Sequence, residues 1–169
     1  REGDCEARPV TTLDEAKGEI AHGFPEQLPG SRAQIFTIQR RDGFYLAVQR
    51  FDTGEVRTLT AGQQARYLAS GHLVFVRGTG LWAAPFDLDR FTLLAEPQLV
   101  ESDLHLSRGV GTAHYAVSSA NGSLVYASRA EMARGRRLVP VNLSGQAGPD
   151  DFAPAGYTRV NVSPDGKRL

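Results

Sequence analysis

Four histidines, His22, His72, His105 and His114, are the side chains best suited to proton transfer or metal binding near neutral pH. No two of them stand four residues apart beside a glutamate, the spacing that turns two imidazoles toward one zinc ion, and no carboxylate pair stands out by spacing. A serine in a G-x-S-x-G elbow is missing as well, so a serine-hydrolase site is not encoded here. The glycines of VRGTGLW, residues 76–82, have neither the spacing nor the following helix of a phosphate loop and read as a tight hairpin. DLDR, residues 87–90, offers two aspartates but none of the other oxygen ligands of a calcium loop, and reads as a turn. RAEMARGRR, residues 129–137, carries four arginines and one glutamate; it reads as a solvated loop, with a docking patch for an acidic partner as the alternative. Cys5 is the single cysteine and can form neither an internal disulfide nor a multi-cysteine zinc site. No catalytic residue, metal ligand or cofactor is expected in this chain.

The chain as a whole carries no field to steer a charged partner. Nineteen basic residues balance nineteen acidic ones among 169, which argues against nucleic-acid binding. The longest apolar runs, such as residues 73–76, fall far short of the ~20 residues that cross a bilayer, so no direct membrane insertion is expected. Hydrophobic residues at 41% and charged residues at 22% are ordinary globular usage, enough for a packed core.

What could position any site is a set of strands. Helical periodicity is confined to residues 13–20 and 129–134. Short runs rich in Val, Ile, Leu, Phe and Tyr dominate, bounded by turn residues, which predicts an all-β chain. Those runs recur as units. FPEQLPGSRAQIFTI and GFYLAVQRFDTGEVRTLT make the first; ARYLASGHLVFV, GLWAAPFDLDR and EPQLVES the second; AHYAVSSANGSLVYAS and RRLVPVNLSG the third; YTRVNVSPDGKRL opens a fourth. Each contains a turn ending in glycine, at Gly30, Gly71, Gly122 and Gly166, and roughly 40–50 residues separate one from the next. Glycine suits the exit of such a turn because it accepts positive φ.

That period fits the four-stranded blades of a β-propeller. The second strands, AQIFTI, HLVFV and SLVYA, are nearly continuous apolar runs, as expected when a sheet is packed on both faces. Third strands align at Phe51, Phe86 and Val141, each followed by Asp or Asn and a turn. Pro85 and Pro140 fall at one register inside strands that should be central; they predict a bulge, or the point where pairing to the outer strand gives out. The expected layout is a partial propeller of about three antiparallel blades with partial blades at both ends: residues 7–13 as the outer strand of an upstream blade, blades at 22–60, 63–102 and 112–153, and a further one starting at 157–169. Blades hide their faces only by stacking. Two uncovered faces would each leave several hundred Å² of apolar surface in water, on the order of 10 kcal/mol of burial in total. Oligomerisation through those faces is the expected consequence. His22, just before the first innermost strand, and His114, opening the third, would face one rim of such a ring, which makes them the candidate ligand-binding residues.

LPGSRAQIFT, ARYLASGHLVFVRGTGLWAAPFDLDR, SSANGSLVYAS and VSPDGKRL together resemble the TolB-type, WD-like propeller repeats of bacteria, above all those appended to eukaryotic-like serine/threonine kinases. The chain departs from that pattern at residues 28–31 and 69–72, where the usual turn aspartate is missing. The resemblance implies a periplasmic or extracytoplasmic sensor or scaffold that binds a protein, peptide or small ligand on one rim and leaves catalysis to another domain. A second implication of such propellers is a gate before the catalytic domain of a prolyl-oligopeptidase-type serine hydrolase. A third is a purely structural assembly domain of the TolB sort.

Overall fold

Runs of β-branched and aromatic residues separated by turns leave the backbone one economical way to satisfy its polar groups, by pairing neighbouring strands. A computed structural model describes residues 9–107, 111–119 and 122–130. β1 (Glu19–Gln27), β2 (Ala33–Arg40), β3 (Gly43–Arg50) and β4 (Val56–Ala61) pair in sequence order, each antiparallel to the next, as sheet one. β5 (Gln63–Leu68), β6 (His72–Arg77) and β7 (Gly80–Asp87) repeat the pattern as sheet two, with β8 (Thr92–Leu93) and β9 (Gln98–Glu101) both on the outer side of β7. β10 (Tyr115–Val117) and β11 (Leu124–Tyr126) form a third, two-stranded hairpin. The fold is thus all-β and antiparallel, and no sheet closes on itself among the described residues.

The turn glycines behave as their chemistry requires. Gly30, Gly71 and Gly122 stand at φ of 81°, 79° and 73° between the first and second strands of the three sheets. Residues 13–20 form no helix. Their only helical feature is a 3-10 turn over Glu15–Lys17, capped by Asp14, after which β1 begins at Glu19, so that His22 lies inside a strand rather than before one. The segment 129–134 lies outside the described residues beyond 130, as do Pro140 and the unit expected from 157 onward.

Consecutive apolar residues on β6 serve two cores, because a strand's side chains alternate between its faces. Leu73 and Phe75 point into a cluster with Ile35, Leu46 and Val48 of sheet one, while Val74 and Val76 point the other way, toward Leu104, Ala113, Tyr115 and Leu124. Sheet two is therefore sandwiched between sheet one and the hairpin. Arginines fasten the first of these interfaces. Arg57 donates to the carbonyls of Arg90 and Phe91, Arg32 to the Asp89 carboxylate at 3.0 Å, and Arg77 to the Ala61 carbonyl at 3.0 Å and Thr60 Oγ1 at 2.7 Å. Trp82 joins this set, its ring 5.2 Å from the Arg77 guanidinium and its Nε1 donating to the Arg77 carbonyl.

One expectation is corrected here. The outer face of sheet one is not bare: Phe36, Ile38 and Ala47 are buried there, and the segment 9–14 lies alongside, with the Val10 carbonyl accepting from Gln49 Nε2 at 2.9 Å. On β11, Leu124 joins the second core and Val125 is 73% exposed; the unit expected to cover that second face, from 157 onward, lies outside the described residues.

Pro85 explains the divided outer edge of sheet two. It pairs with His72 on the inner side, where β6 lies. On the outer side β7 pairs with β9 only from Leu81 to Ala83 and with β8 only from Phe86. Proline has no N–H to offer, and the ladder changes partner at that residue. Just beyond, Asp87 Oδ1 accepts from the backbone N–H groups of Asp89 and Arg90 at 2.8 and 2.9 Å. Those two donors hold its carboxyl below the ordinary aspartate value. DLDR is a capped turn, and among the described residues no group of three or more metal-ligating side chains gathers anywhere.

Candidate functional site

The first strands of the two large sheets share an irregularity. The ladder of β1 breaks between Gly23 and Glu26, and that of β5 between Gln63 and Arg66. Phe24 and Gln64, at the two breaks, have φ of 51° and 53°. A bulge bends its strand and re-aims the side chains beyond it. Beyond these two bulges lie Glu26 and Arg66, and the bends bring them together: Arg66 Nη1 donates to Glu26 Oε2 at 2.6 Å. The Tyr67 backbone N–H donates to Glu26 Oε1 at 2.7 Å, so both carboxylate oxygens are engaged.

Gln64 extends the convergence to the third hairpin. Its backbone N–H donates to Thr37 Oγ1 of sheet one at 3.1 Å, and its side-chain oxygen accepts from the Ala113 N–H at 2.7 Å. The Tyr115 hydroxyl donates to the Gln64 carbonyl. Burial of that phenol, the main cause, drives its pKa upward, so it stays a neutral donor. Farther along, the Ala69 N–H donates to the Ser119 carbonyl at 2.8 Å. Where β1, β5 and β10 run out, they enclose a cleft of about 550 Å³, within the ~300–1,000 Å³ range of small-ligand sites. Its walls combine the Glu26–Arg66 pair and the Ser31 and Ser119 residues with apolar Pro29, Ala69 and Val117.

Neither histidine singled out from the sequence lines this cleft. His22 lies toward the other end of β1 and is held on both sides, with Nε2 3.1 Å from Glu19 Oε2 and Nδ1 2.9 Å from Thr11 Oγ1. A carboxylate only accepts, so Nε2 carries the proton, and in the neutral ring Nδ1 accepts from the threonine hydroxyl. The ring stands edge-on to Phe36 at 4.9 Å and borders a separate cavity of about 170 Å³. His114 sits apart from His22 on an exposed loop, its Nε2 2.6 Å from Ser107 Oγ and its ring 5.2 Å from that of His105. A serine–histidine contact of that length fits a nucleophile and its base, but no acidic side chain orients the imidazole among the described residues. The structure brings His105 and His114 together and leaves His22 elsewhere. Glu26 and Arg66 carried no sequence signal of their own; a shared place in the first strand of successive units is the one clue that could have paired them.

Glu19 is the titrating anchor of the His22 network. Burial pushes its carboxyl upward, but hydrogen bonds from the Asp14 N–H, His22 and Arg40 outweigh that and leave its pKa below the ordinary 4.5. A carboxyl depressed by folding contributes stability that is fully present above its unfolded value and lost as pH falls through its folded one. Glu19→Gln is therefore expected to flatten the fall in stability below about pH 4.5, read as urea midpoints between about pH 5 and pH 3. An unchanged slope would remove this carboxylate from acid sensitivity.

No family model, curated protein or solved structure matches the chain.

Proposed function

We propose that this chain is a non-catalytic binding or scaffold module: part of a TolB-like β-propeller belonging to a larger, kinase-linked bacterial protein and working outside the cytoplasm. One observation carries the binding reading. Three successive antiparallel sheets stack face to face and turn their first strands toward one another, and a cleft of ligand size opens where those strands end. Stacked sheets with converging inner strands are the arrangement a propeller blade series adopts. Sites at the junction of repeated units are where such rigid frames place their ligands. The propeller, kinase and extracytoplasmic parts of the proposal rest on the repeat period and on the sequence resemblance.

The binding reading is tested by selecting displayed peptides on the immobilised chain and mapping the selected peptides by hydrogen exchange. Protection gathered at residues 26–31, 66–69 and 117–119 is the expected result. Selected peptides that protect other segments and leave these three unchanged would overturn it.

A further inference from the structure

We infer that the cleft at the ends of β1, β5 and β10 recognises its ligand through a carboxylate, held by Arg66. The inference rests on the binding-module reading and names the chemistry of that same site. Glu26 and Arg66 are the two charged residues among the described cleft walls. Their roles there are unequal. The Glu26 carboxylate is spent, one oxygen on the Tyr67 N–H and the other on Arg66, and its side chain is 21% exposed. Arg66 keeps 48% of its side chain exposed, and Glu26 takes a hydrogen from Nη1 alone. A guanidinium has five N–H donors in a planar fork, and Arg66 lines the cleft, so its four other donors remain for a ligand once Glu26 has taken one.

The remaining donors suit a flat, two-pronged acceptor, and the carboxylate is the biological group of that shape. Charge favours the same choice. The Arg66–Glu26 pair is already neutral, so a ligand carboxylate held by the remaining guanidinium donors meets the repulsion of Glu26 with one charge, whereas a phosphate dianion meets it with two and finds no second cation among the described cleft walls. Ser31 and Ser119 add hydroxyls to the rim, and Pro29, Ala69 and Val117 give the rest of the ligand an apolar wall. Such a group could come from a chain's C-terminus or from an acidic side chain, and the two sources separate in the same experiment.

Three short peptides of small apolar residues serve as probes: one with a free C-terminus, the same one amidated, and an amidated one with an internal glutamate. Each is titrated into the isotope-labelled chain while the amide signals of Arg66, Tyr67 and Ser119 are followed. Saturable shifts with at least one of the two carboxylate peptides, and about tenfold weaker binding of the neutral one, are expected from the loss of a charged hydrogen bond. Which carboxylate peptide binds identifies the source. Arg66→Gln should lower carboxylate binding about tenfold, removing the preference for the acid over the amide. Glu26→Gln keeps an acceptor for the Tyr67 N–H and leaves Arg66 uncompensated, so it should tighten carboxylate binding; this gain cannot arise from misfolding. Equal binding of acid and amide at the cleft would overturn the carboxylate inference and leave the binding reading standing. No cleft shift with any probe would overturn the inference too, and the binding reading would fall with it only if the selected peptides also spare these residues.

Discussion

Gly62→Ala is expected to lower the stability of this chain by about 3 kcal/mol, the sum of backbone strain and overpacking. Gly62 is the single residue between β4 and β5, where the chain leaves sheet one and enters sheet two. Its φ is 148°, and its N–H donates to the Phe44 carbonyl at 2.8 Å, so the backbone cannot swing aside without losing that bond. A Cβ there would lie 2.6 Å from Phe75 Cδ2 and 3.1 Å from the Val76 carbonyl oxygen. Phe75 is fully buried in the core between the two sheets and has nowhere to retreat. Gly71→Ala is the control. It shares a positive φ of 79° but meets nothing within 4 Å, and should cost only the strain, about 1 kcal/mol. Urea unfolding of both variants gives the comparison. Phe75→Leu, which removes part of the obstructing ring, should recover some of the loss in the Gly62→Ala background. Equal losses for the two glycine variants would show that the close approach carries no energy.

Gln64→Ala should cost a comparable amount, about 2–3 kcal/mol, for a different reason. Gln64 is 9% exposed, and its side chain caps the Ala113 N–H, which belongs to a residue 5% exposed. Truncation leaves that donor buried without a partner, and an unmet buried donor is more costly than the bond itself was worth. The damage should be local as well as global. The hairpin of β10 and β11 is tied to sheet two at Ala113 and at Tyr115, so amide exchange across residues 113–126 should accelerate more than exchange in β2 or β3. A loss below about 1 kcal/mol, with exchange in the hairpin unchanged, would mean that the apolar contacts of Leu104 and Leu124, with the Tyr115 and Ser119 hydrogen bonds, hold it without the Gln64 side chain.

Much of this frame was legible in the residues. HLVFV announced a strand buried on both faces, and Leu73, Val74, Phe75 and Val76 do divide between two cores. Pro85 announced a limit to pairing, because a missing N–H is a local fact that no tertiary context can restore. The turn glycines were visible for the same reason. What stayed hidden depends on meetings between units. Phe24 and Gln64 take positive φ without being glycine, so no residue type flags the bulges that turn Glu26 toward Arg66. Each of those two read simply as a charged residue in a strand. His22 stood out because imidazole is versatile, yet its neighbours Glu19 and Thr11 occupy both ring nitrogens. The cover over Phe36 and Ile38 was equally hidden, since 9–14 overlaps the stretch read as an outer strand at 7–13 but forms no strand, and gains its place from partners such as Gln49.

The split at Pro85 reaches beyond pairing within the molecule. An uninterrupted outer border would offer any passing polypeptide a long template of unmet donors and acceptors, the seed of fibrillar growth. Sheet two ends instead in two short strips, a two-residue β8 and a four-residue β9. A foreign strand could register with only one strip at a time. The same proline that shortens the ladder thereby shields a sheet rich in Val, Leu and Phe from runaway self-association.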